Sequence, residues 1–79
     1  MAKSPNQKLK LLYLMKILLE QTDENHRITM TEIIENLASY NISAERKSLY
    51  NDIESLRLYG LDIIGIQEGR TYFYYVGSR

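Results

Sequence analysis

The sequence predicts an α+β domain, three helices followed by a C-terminal two-stranded β-hairpin, and three observations carry that expectation. Apolar residues recur at helical spacing through three stretches that end at Tyr59. After Gly60 the pattern becomes β-branched and then aromatic, in two short runs separated by Glu68-Gly69-Arg70. The second and third helical stretches are joined only by Asn41-Ile42-Ser43.

The first helix starts at Ser4-Pro5, with Ser4 as N-cap and Pro5 at the first helical position, where a missing N–H does no harm. It runs to about Gln21. Leu11, Leu14, Met15 and Leu18 form its core stripe at i, i+3, i+4 and i+7. Leu9, Tyr13 and Ile17 form a second stripe on another side. Either the hairpin or a terminus covers this second stripe, or it meets another subunit or domain.

Thr22 to Asn25 is a polar break, and His26 to Ile28 is at most a strand stub. Thr29-Met30-Thr31-Glu32 reads as a capping box, a hydroxyl followed three residues later by a carboxylate. The second helix, residues 30–40, buries Ile33, Ile34, Leu37 and Tyr40. Asn41 suits a left-handed stop, and Ser43 caps the third helix. That helix covers about residues 44–59, with Leu49, Ile53 and Leu56 inward and Gly60 as its end. In the last strand, alternation puts Tyr72, Tyr74 and Val76 in the core and leaves Phe73 and Tyr75 partly exposed.

A chain of 79 residues is one domain with one modest core. It has no cysteine and a single histidine, His26, which reads as an exposed loop residue, so no metal site or cofactor is expected. No apolar run approaches the ~20 residues of a membrane span, and a signal peptide is not evident, so a cytoplasmic location without a membrane partner is expected. Ten basic and ten acidic residues cancel, but unevenly. Residues 1–19 carry +4, residues 20–45 carry −5, and residues 46–79 carry +1. A neutral total can hide a basic face. Paired carboxylates, a nucleophile–base pair and a phosphate loop are all missing at usable spacing, so the chain does not read as an enzyme.

Helix, stub, helix, short joint, helix and hairpin is the order of a winged helix-turn-helix. Its third helix would protrude as a recognition helix into a DNA major groove about 12 Å wide, with residues 66–72 as the wing near the backbone. Taking about 100° per residue, the side opposite Leu49 and Ile53 carries Lys47, Asn51 and Glu54, flanked by Ser48 and Tyr50. Arg46 lies nearer the core side, in a first turn from which a long side chain can swing outward. Ser43, Arg46, Lys47, Ser48, Tyr50 and Asn51 thus gather at a helix N-terminus, where free N–H groups and the dipole attract phosphate. Asp52 and Glu54 are expected to pair with Arg57 or to cap local structure. Arg70 is either a minor-groove or phosphate contact or an exposed turn residue. Lys3, Lys8 and Lys10 either touch phosphate or form a solvated helix end.

The run Arg46-Lys47-Ser48-Leu49-Tyr50-Asn51-Asp52-Ile53-Glu54-Ser55-Leu56, followed by Gly60-Leu61-Asp62-Ile63, resembles the N-terminal winged-helix domain of WYL-domain bacterial transcriptional regulators. These are also described as DeoR-like or type-11 helix-turn-helix proteins. The opening Lys10 to Leu18 and the closing Tyr74 to Arg79 fit the same pattern, so the resemblance spans about residues 8–79. It implies sequence-specific binding of double-stranded DNA, a homodimer in the full-length protein, and a C-terminal sensor domain absent here, so that this piece is either excised from a longer regulator or a stand-alone remnant. Asn51 stands where many relatives carry arginine, which would favour pairing to adenine. Glu68-Gly69-Arg70-Thr71 stands where many have a Gly-Gly pair. The other function class consistent with these residues is a protein–protein interaction module on the same scaffold. It would use Leu9, Tyr13, Ile17 and the outward-facing Leu58, with Phe73 and Tyr75 adding apolar surface.

Overall fold

A computed structural model describes residues 5–77, with side chains from residue 9 onward. Lys3 and Ser4, the side chain of Lys8, and Ser78 and Arg79 lie outside the described residues. The element order is α1 (Pro5–Gln21), β1 (Ile28–Thr29), α2 (Met30–Ser39), α3 (Arg46–Tyr59), β2 (Ile63–Glu68) and β3 (Thr71–Val76). The fold is a small α+β arrangement compatible with a winged helix. Its sheet has three antiparallel strands in the order β1-β3-β2, rather than the expected two. The stub preceding α2 is the third strand, pairing Ile28 with Tyr74 and Thr29 with Phe73. Two residues are too few to show a period of two, so only the exposed edge of β3 reveals them as a strand.

α1 is apolar nearly all round, and its periodicity does not decide which side turns inward. Leu14, Ile17 and Leu18 are buried. Ile17 is only 1% exposed, so it belongs to the core and not to a partner surface. Leu11, expected inside, is 37% exposed, and Met15 is half-buried. The inward side is thus rotated toward Ile17 relative to the predicted stripe. The rotation brings Tyr13 against Tyr40, with ring centroids 4.5 Å apart. Tyr40 closes α2 and stays half open to solvent instead of being buried, and Ile34 is half-buried.

At the end of α1, the buried hydroxyl of Thr22 donates to the Leu18 carbonyl at 2.6 Å and accepts from the Val76 N–H at 2.9 Å. One side chain thereby satisfies backbone groups of both α1 and β3. The capping box of α2 forms as read. The Glu32 N–H donates to Thr29 Oγ1 at 3.1 Å, and the Thr29 N–H donates to Glu32 Oε1 at 2.9 Å. Asn41 adopts φ 63°, and the Ile42 N–H reaches back to the Leu37 carbonyl at 3.0 Å, the pairing of a Schellman stop. Ile42 is then buried as the anchor of the joint.

The joint is longer than read, because α3 begins at Arg46 and not near residue 44. Its N-cap is Glu45, which is extended and makes no side-chain capping bond, so Ser43 lies in the joint and is not the N-cap residue. Ala44 is instead partly buried against the core. Leu49, Ile53 and Leu56 face inward as predicted. β2 and β3 pair from Ile63↔Val76 to Glu68↔Thr71 around the two-residue turn Gly69-Arg70. Gly69 has φ +63°, the positive angle that a tight hairpin turn needs and glycine accepts without cost.

Candidate nucleic-acid interface

The first turns of α3 and the tip of the β2–β3 hairpin flank one groove of about 450 Å³. Arg46 and Tyr50 line it from α3, Arg70 and Tyr72 from the hairpin, and Thr29 and Thr31 from the start of α2. Two arginines 24 positions apart thus meet in one depression, together with hydroxyl donors from three elements. Arg46 Nη2 donates to Thr31 Oγ1 at 3.3 Å, which turns its guanidinium away from the core and toward the groove.

Tyr74 forms part of the groove lining as a buried side chain, and its ring meets that of Tyr72 edge-on at 5.2 Å. Burial raises the Tyr74 phenol above its ordinary range, so it remains a neutral hydroxyl. Tyr72, expected in the core, is 46% exposed. Its ring lies over Gly65, where a Cβ would collide with it. The missing side chain at Gly65 is therefore what seats Tyr72 along the groove.

Lys47, Asn51 and Glu54 are exposed on α3, as its period predicts. Ser48 is placed differently from the reading. It faces α1 and accepts from Lys10 Nζ at 2.6 Å, and the same ammonium lies 3.0 Å from Asp52 Oδ2. Ser43 borders a separate depression with Lys10, Glu45 and Ser48. The structure therefore brings together Arg46, Tyr50 and Arg70, keeps Lys47 and Asn51 exposed on the same helix, and turns Ser48 and Ser43 elsewhere. Lys10 joins α1 to α3 as an ion pair.

Three acids of α3 and the hairpin have cationic partners, while Glu45 at the N-cap of α3 has none among the described residues. Asp52 takes Lys10 rather than Arg57, while Glu54 does pair with Arg57. Glu68 receives both Arg27 Nη groups, at 2.8 and 3.1 Å. That hydrogen-bonded pairing raises the Arg27 guanidinium above its already high range. Among the described residues, Arg46, Lys47 and Arg70 have no carboxylate within ion-pair distance. Among the described residues, three bases without a carboxylate partner thus lie on α3's first turn and the hairpin tip, beside one unpaired acid, Glu45. Also among the described residues, no three His, Cys, Asp or Glu side chains gather closely enough to hold a metal ion. No described helix is long and apolar enough to cross a membrane.

Sequence reading missed Thr29, Thr31 and Tyr72 as groove residues, and Arg27 as the partner of Glu68. The capping box already located Thr29 at a helix start, which was the available signal for the first. Nothing local signals the Arg27–Glu68 pair, whose members are 41 positions apart. Of the second stripe on α1, Leu9 is exposed, Tyr13 half-buried and Ile17 buried, while Leu58 on α3 is 90% exposed. No family model, curated protein or solved structure matches the chain.

Proposed function

We propose that this domain binds double-stranded DNA as the sequence-reading part of a bacterial transcriptional regulator, the role implied by the resemblance to WYL-domain proteins. The observation that carries the reading is the convergence of Arg46 and Arg70 on one groove beside Tyr50, with no carboxylate paired to either. α3 has 14 residues and is about 21 Å long, enough to lie along a major groove. In that pose Arg46 and Arg70 hold phosphates on either side of the groove, and Lys47 adds a third. Asn51, exposed one turn beyond Lys47, presents its amide to a base edge, with adenine N6 and N7 as the matching pattern. Phosphate contacts set register and the amide supplies selectivity. In a full-length homodimer two such helices would address two half-sites.

A titration of labelled protein with a mixed-sequence duplex, at low and at near-physiological salt, tests this directly. Salt-sensitive NMR shifts at residues 46–51 and 69–72 are the expected result. No shifts there at low salt would overturn the reading.

Exposed apolar side chains favour a second reading. Leu9 and Leu12 on α1 and Leu58 and Tyr59 at the end of α3 are open to solvent, and Leu9, Leu12 and Tyr13 border a shallow apolar depression. A protein-interaction module would use these positions. It predicts concentration-dependent shifts there that DNA does not alter.

A further inference from the structure

Glu68 stands next to the hairpin turn, two residues before Arg70, where a carboxylate would repel phosphate and compete for the arginine. The structure gives that carboxylate another partner. Strand pairing puts Glu68, Ile66 and Phe73 on one face of the sheet, and the groove residues Tyr72 and Tyr74 on the other. Arg27, just before β1, lies on the Glu68 face. Its guanidinium sits 5.0 Å over the Phe73 ring and ends in a two-pronged bond to Glu68. That fork is the geometry in which arginine binds a carboxylate most specifically. Arg27 itself does not line the groove. It borders a different depression, with Gln21 of α1 and Glu32 and Glu35 of α2.

We infer that Arg27 is a positioning residue for the hairpin tip: by holding Glu68 on the back of the sheet, it leaves Arg70 free to face an anionic backbone. This rests on the DNA reading and deepens it. It also explains how a tip reading Glu-Gly-Arg can serve a polyanion. The tip keeps one net positive charge as long as Arg27 is present. Without Arg27, Glu68, two positions before Arg70, loses its partner and the charge of the tip falls to zero.

Three variants, Arg27→Gln, Glu68→Gln and the double variant, separate the possibilities. The first readout needs no DNA and is the Arg70 Nε–Hε resonance of the free protein. It should shift in Arg27→Gln, as Arg70 takes up Glu68, and return in the double variant. An unchanged Arg70 signal in Arg27→Gln overturns the inference.

The second readout is affinity for a mixed-sequence duplex. Arg27→Gln should weaken binding about fivefold at low salt and much less near physiological salt, because screening shortens the reach of the freed carboxylate. Glu68→Gln should bind at least as well as wild type, and the double variant within about twofold of it. If the double variant is not rescued and Arg27→Gln lowers the salt slope by about 1, Arg27 touches phosphate itself and the inference is wrong. If all three variants weaken equally, the pair is only a structural anchor, which also overturns it. A wild-type domain that binds no duplex instead overturns the DNA reading, and this role with it.

Discussion

α1 carries lysines and the groove end of α3 an arginine and a lysine, yet the two regions use their basic side chains in opposite ways. On α1, Lys10 is spent on Asp52 and Ser48, and Lys16 on Glu20 one turn away. Around the groove, Arg46, Lys47 and Arg70 have no acidic partner among the described residues, while Asp52, Glu54 and Glu68 pair with Lys10, Arg57 and Arg27. Apolar side chains show the reverse distribution. α1 leaves Leu9, Leu11 and Leu12 exposed, whereas the first turns of α3 bury their one leucine, Leu49. A count of charges along the chain ranks the first 19 residues as the basic region, yet both of its lysines with described side chains, Lys10 and Lys16, are paired. Pairing, rather than composition, decides where positive charge remains available to a ligand.

The comparison breaks most sharply at Ile17. If α1 serves the core through this side, Ile17→Ala should cost about 3 kcal/mol in urea unfolding, since it removes buried methyl groups from a packed site. Leu58→Ala should stay within about 0.5 kcal/mol, as expected for an exposed side chain. Equal effects at the two positions would mean that α1 is oriented differently.

Replacing both Arg46 and Arg70 by alanine should act in the opposite sense. Duplex affinity should fall about a hundredfold at low salt and the salt slope by about 2, with the unfolding midpoint nearly unchanged. A double variant that binds as well as wild type would remove the groove from the interface. Asn51→Ala should alter preference at one base position by about 1–3 kcal/mol, in a competition between duplexes that differ at single positions. A uniform loss over all sequences would make Asn51 a backbone contact instead.

Asp52→Ala should destabilise the fold by about 2 kcal/mol, because it strands the Lys10 ammonium, whose side chain is only 14% exposed, against α3. Glu20→Ala breaks the exposed pair with Lys16 and should leave the unfolding midpoint unmoved within error. That contrast sharpens the distinction between the two lysines of α1. If both variants behave alike, Lys10 is not the tie between the helices that its geometry indicates.

Features built from neighbouring residues were legible. The Thr29–Glu32 capping box, the left-handed Asn41, the inward face Leu49-Ile53-Leu56 and the glycine at the hairpin turn each depend on a few consecutive positions. The outward placement of Lys47 and Asn51 follows from the same period. Features that depended on a distant partner were read wrongly or missed. Ser48 was expected to face outward, but Lys10 from 38 residues away draws it to α1. Thr22 looked like part of a polar break, yet its hydroxyl is the acceptor for Val76, 54 residues on.

By itself, then, the sequence determined the order of the three helices and the C-terminal hairpin, the end of α2 and the hairpin turn, and the cationic start of α3. Local sterics, capping hydrogen bonds and periodic burial act within a turn or two of the chain, and any reader of the residues can apply them. Tertiary structure alone decided which side of α1 faces the core, that the stub before α2 joins the sheet, and that Arg46 and Arg70 share a groove. It also chose which acid neutralises which base. These outcomes depend on distances between segments, and short-range rules leave those distances open until the segments pack.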